Sequence, residues 1–247
     1  MFDAATKPSH KPKWSFPDAL KVLLGIVVLT VGINELLFRL RNWEVFGTIP
    51  HPSLLTLTLL IVQEIIFLAP LYYFVIHKNH LRAADLGFRK MRWKAVLAWV
   101  LKGFGLAFLA NLGLALIMYY VPDSLPGFSR QESHIPIFGT SALDYSLALI
   151  ALVGLAPVVE EVFFRGFVLQ TLLGKFQPWV ASILTAACFA LLHFEFGSIG
   201  IIAILALILN WIFLRSRSII PCIAFHMINN ALAFLLEWLV WQGYVSL

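Results

Sequence analysis

Glu160, Glu161 and Arg165 lie close together inside the otherwise apolar run from Tyr145 to Leu173. An ionisable side chain at the centre of a bilayer costs at least ~2.5–3.5 kcal/mol on insertion scales, and such residues mark protein interiors, water-filled cavities and functional sites. On a helix, Glu161 and Arg165 are four apart on one face and can pair as a brace. Glu160 is rotated by roughly 100° from Glu161, which makes it the candidate general base. His193 closes a second apolar run, and His226 and Asn230 lie four apart in the last one, presenting two polar groups on one helical face. Peptide hydrolysis without a covalent intermediate needs an activated water, an oxyanion stabiliser and a proton donor for the leaving amine. One carboxylate, two imidazoles and an amide can supply all three.

The motifs Glu160-Glu161-x-x-x-Arg165, Phe189-x-x-x-His193 and His226-x-x-x-Asn230 resemble, in type and order, those of the CAAX protease and bacteriocin-processing family of intramembrane proteases, also called the ABI family. The resemblance covers roughly residues 142–241. It implies a glutamate-type endopeptidase in which Glu160 activates water with His193, and His226 and Asn230 stabilise the oxyanion. Glu161 and Arg165 give structural support. It implies a peptide or lipidated protein substrate at the membrane. Neither a cofactor nor a metal is called for. The residue types alone leave a zinc alternative open, because Glu160, His193 and His226 are a three-ligand set with one open position. The usual helical His-Glu-x-x-His pair is absent. Two other classes compete with the enzyme. A non-catalytic membrane scaffold or bacteriocin self-immunity protein would tolerate Glu160→Gln. An ion or proton transporter would draw on further intramembrane polar residues, namely Asn34, Glu35, Gln63, Glu64, Lys102 and Asn111.

Helices must position these groups. The chain has 247 residues, 60% hydrophobic and only 13% charged, with 21 Phe and 8 Trp. That composition fits a polytopic membrane protein with aromatic anchors. Lipid forbids unsatisfied backbone, and nothing alternates as barrel strands would. The expected fold is all-α: a transmembrane helical bundle with a buried polar catalytic cavity. Seven spans are expected, at about 18–38, 53–77, 95–120, 144–172, 177–195, 198–214 and 219–241. Residues 1–17 read as a polar cytoplasmic tail and 18–247 as a single transmembrane domain. The first apolar segment lacks a small-residue cleavage site and reads as a retained helix.

The net charge of +5 orients the protein and does not point to nucleic acid. With the N-terminus inside, twelve Lys and Arg fall in cytoplasmic segments, including Lys78, Arg89, Lys90 and Lys175. Only Arg39, Arg41 and Arg130 fall outside. This positive-inside bias puts the N-terminus in the cytoplasm and the C-terminus outside. The basic stretch 78–94, with Leu86, Phe88, Met91 and Trp93 interleaved, reads as a cytoplasmic loop at the membrane surface. Residues 121–143, with Pro122, Pro126, Gly127, Pro136 and Gly139, read as an outer loop long enough for a lid or a re-entrant piece. Pro157 should kink the fourth span and free the carbonyl of Val153. Of the two cysteines, Cys222 reads as a small buried hydrophobe rather than a nucleophile beside His226.

Overall fold

A computed structural model describes residues 12–41, 52–120, 126–128 and 138–245. Among the described residues the chain is helical and contains no strand. Helix α1 spans Phe16–Arg41, and α2 spans Pro52–Leu71, prolonged by a π-helical stretch at Tyr72–His77. Helix α3 is Trp93–Tyr120, and α4 runs over Ala142–Leu173. Then follow α5 at Pro178–Leu191, α6 at Ile199–Ser216 and α7 at Ile220–Trp241. Six of these are long and apolar enough to cross a membrane. The expected fifth span over 177–195 is shorter than that. Helix α5 has 14 residues, about 21 Å of rise against the ~30 Å of a bilayer core. The expected tail falls partly on residues 1–11, and the outer loop mostly on 121–125 and 129–137, outside the described residues.

Local chemistry sets the helix starts. Ser15 and Asp18 form a reciprocal cap: the Asp18 N–H donates to Ser15 Oγ at 3.3 Å, and the Ser15 N–H donates to the Asp18 carboxylate at 3.2 Å. The pair satisfies two amides of the first turn, so α1 begins before the apolar run does. Ser141 and Asp144 repeat the device at the start of α4. Leu20, Leu24, Val27, Val28 and Val31 lie exposed along α1, the apolar surface expected of a helix in lipid.

Contacts within the chain form two compact units. The first comprises residues 13–82, 133–163 and 227–247. In it α1 packs on α2, where Gly25 admits the Pro70 ring: a Cβ there would stand 2.9 Å from Pro70 Cβ. An ion pair between Asp18 and Lys78 ties the start of α1 to the end of α2. Its core gathers Phe138, Ala148, Ala151 and Phe234, with Leu57, Leu60 and Trp238 packed around them.

The second unit comprises residues 1–12, 83–132 and 164–226. Helix α6 is its axis. Trp211 meets Trp99 of α3 edge to face at 5.5 Å, and Asn210 Nδ2 donates to the Ser182 carbonyl of α5 at 2.9 Å. Cys222 is buried, with its thiol on the Leu209 and Ser218 carbonyls, as a small core residue would be. The segment Leu86-Gly87-Phe88-Arg89 is part of this packing. The Gly87 carbonyl accepts from the Ile219 N–H at 2.9 Å, and the Arg89 carbonyl accepts from Ser218 Oγ at 2.9 Å. The segment thereby fixes the entry to α7. Gly87 has φ +96°, and a Cβ there would lie 2.8 Å from the Phe213 ring. Backbone strain and overlap both oppose a side chain at this position. Gly87→Ala should therefore lower unfolding stability by about 2–4 kcal/mol, read from the unfolding midpoint in detergent; an unchanged midpoint would contradict the docking described.

Candidate active site

Helix α4 carries the acidic motif, and its backbone departs from α-helical winding on both sides of it. Leu149–Leu155 and Val162–Val168 are π-helical, and Ala156–Glu161 between them is α-helical. Inserted π turns are rare and concentrate at functional sites. Glu160 is half-buried, whereas Glu161 and Arg165 are 0% exposed.

In the unit that holds Glu160, α2 supplies a second carboxyl group. Glu64 is 6% exposed and interacts electrostatically with Glu160. One turn on, Phe67 meets Phe163 edge to face at 4.9 Å. Each ring lies three residues after its glutamate, so corresponding turns of the two helices face one another. From sequence alone Glu64 belongs among the intramembrane polar residues of a transporter pathway. The shared spacing Glu64-x-x-Phe67 and Glu160-x-x-Phe163 was the available signal that the two belong together. Asn230 of α7 is in the same unit, and its Nδ2 donates to the Leu152 carbonyl at 2.9 Å.

In the other unit the histidines gather on Phe189, which is 0% exposed. The His193 ring lies 4.6 Å from it and the His226 ring 6.0 Å. Phe164 meets it edge to face at 4.8 Å, and the Arg165 guanidinium stands over its face at 4.8 Å. The first residue of the Phe189-x-x-x-His193 motif is thus a platform on which two motif histidines and the motif arginine rest. Arg165 also donates from Nη2 to the Ala206 carbonyl of α6 at 3.2 Å.

His193 does not lie within a helix, as the expected 177–195 span required. Helix α5 stops at Leu191, and the chain turns through Leu192, His193 and Phe194, the last with φ +54°. His193 Nδ1 is 2.7 Å from the Phe189 carbonyl. A carbonyl only accepts, so Nδ1 is the donor, and in the neutral ring Nε2 keeps the lone pair. The side chain caps the end of its own helix and leaves Nε2 for a water or a proton. His226, 3% exposed, lies in the second turn of α7. Among the described residues no group of three His, Cys, Asp or Glu side chains is placed to hold a metal ion.

Six helices of span length, buried charge on α4 and two histidines on one aromatic platform define an integral membrane protein with a polar site. Residues 142–232 match the family model described as type II CAAX prenyl endopeptidase Rce1-like. That stretch contains all three motifs, and the resemblance drawn from them holds over it. No curated protein and no solved structure matches the chain.

The π stretch Val162–Val168 begins directly after Glu161 and includes Arg165. The contacts of Arg165 with Phe189 and Ala206 reach across to α5 and α6. They use the planar, forked shape of guanidinium as well as its charge. Arg165→Lys keeps the charge and cannot reproduce both contacts, so it should cost about 1–3 kcal/mol of stability, measured as a lower midpoint and lower membrane abundance. A Lys variant as stable as the parent would mean that charge alone matters at this position.

Proposed function

We propose that the protein is an intramembrane endopeptidase that hydrolyses a peptide bond of a membrane-associated or lipidated protein through a glutamate-activated water. Glu160 takes the proton from the water, with His193 Nε2 as the second group that holds it. His226 and Asn230 donate to the oxyanion, and Glu160 returns the proton to the leaving amine. Glu161 and Arg165 support the helix that carries the base. The observation that carries this reading is the match of residues 142–232 to CAAX prenyl endopeptidases, within which all four polar groups fall. The tautomer of His193, set by its bond to the Phe189 carbonyl, supports its part.

Membrane orientation follows from the charge bias, with the N-terminus in the cytoplasm and the C-terminus outside. The Asp18–Lys78 pair supports one part of this, since it keeps the start of α1 and the end of α2 at the same membrane face. Single cysteines placed in residues 78–94 should resist an impermeant thiol reagent added to intact cells and react once the membrane is opened. Efficient labelling from outside would reverse the topology.

Turnover and binding should separate on mutation. Glu160→Gln should nearly abolish cleavage of a membrane peptide while leaving the protein folded and substrate retention unchanged. His226→Ala should reduce kcat by roughly 10²–10³, the loss typical of one oxyanion donor. Chelators should leave the rate unchanged. Full proteolysis by Glu160→Gln would sink the assignment of the base.

A further inference from the structure

Pro157 breaks the hydrogen-bond ladder of α4 three residues before Glu160. Which carbonyl loses its partner depends on how the preceding turn is wound. In an α-helix it is Val153, four residues back. Here the preceding stretch is π-helical, and its bonds run from residue i to i+5. The Ala156 N–H bonds to the Ala151 carbonyl. The next rung of that ladder joins the Leu152 carbonyl to residue 157, which is proline and has no N–H. The Leu152 carbonyl is the atom to which Asn230 Nδ2 donates, at 2.9 Å. Residues 152, 157, 160 and 230 all belong to one compact unit.

We infer that Asn230 supplies, from α7, the backbone donor that Pro157 removes from α4, and so holds the turn that presents Glu160. A carboxamide nitrogen carries two hydrogens, one for Leu152 and one for an oxyanion, so Asn230 is a positioning residue for the base as well as a donor to the reacting atoms. Without Asn230 the Leu152 carbonyl has no donor from its own helix, and rewinding the π stretch to α would only pass the deficit to Val153, so the wide turn that presents Glu160 loses the contact that holds it. Proline and asparagine thus form one unit across two helices: the proline permits the wide turn, and the amide closes it.

The activity part of the test rests on the proposed peptidase function, whereas the stability part is independent of it. Four purified proteins suffice: wild type, Asn230→Ala, Pro157→Ala and the double variant. Asn230→Leu, which keeps the volume and removes the donor, serves as a second probe should Asn230→Ala fail to fold. Pro157→Ala restores an N–H at the position that the Leu152 carbonyl needs. Asn230→Ala should lower the unfolding midpoint by roughly 2–8 °C in the wild-type background and by less than half of that beside Pro157→Ala. Turnover should show the same coupling. Asn230→Ala loses kcat with KM unchanged, and Pro157→Ala restores part of the loss, the remainder being the direct donor role. Equal midpoint losses from the asparagine substitution in both backgrounds would overturn the inference. Coupled midpoints in a protein without peptidase activity would uphold it and overturn the proposed function instead.

Discussion

A protein in hydrocarbon has no water to complete its backbone hydrogen bonds, so each carbonyl that a helix cannot satisfy must find a donor from within the chain. Two polar side chains here follow that demand: Asn230 takes the Leu152 carbonyl, and in the other unit His193 takes the Phe189 carbonyl near the end of α5. Arg165 and Asn210 bring a further donor to Ala206 and Ser182, inside α6 and α5. Three of these donors are motif residues. These motif residues therefore also serve the fold, each held by a main-chain acceptor. Such anchoring keeps a site within the narrow geometric tolerance that catalysis needs.

Phe189 shows how an apolar residue serves the same end. Its ring has the Arg165 guanidinium over one face and Phe164 at an edge, with the rings of His193 and His226 nearby. A smaller aliphatic side chain would fill some of the volume but offer no quadrupole to the cation. The residue that looks least chemical in its motif thus sets the separation of two histidines that come from a turn and a helix far apart in the chain.

Much of this could be read from the order of residues. Apolar runs give the six long helices. The Ser15 and Asp18 pair and the Ser141 and Asp144 pair are caps with a recognisable spacing, and the three motifs located the polar groups. What was hidden has a common cause. Helix α4 is apolar on most sides, so no hydrophobic stripe distinguishes 3.6 residues per turn from the wider π winding, and the bond of Asn230 to the Leu152 carbonyl could not be foreseen. The stop of α5 at Leu191 was equally silent, because Leu192, His193 and Phe194 include neither glycine nor proline, and the left-handed Phe194 is a choice made by tertiary packing. The approach of Glu64 to Glu160 needs two helices in register, which no single run of sequence encodes. The docking of Leu86-Gly87-Phe88-Arg89 onto the start of α7 is a contact of the same kind.

The bond from His193 Nδ1 to the Phe189 carbonyl has a consequence for traffic through the ring. An imidazole can act as a relay, taking a proton at one nitrogen and passing it on from the other. With Nδ1 committed to a main-chain acceptor, that route is closed. Any proton that enters at Nε2 must leave by the same atom, and the ring keeps one orientation whether charged or neutral. His193 is built as a cul-de-sac for protons: it can take one up and give it back at Nε2, but it cannot conduct it through the ring.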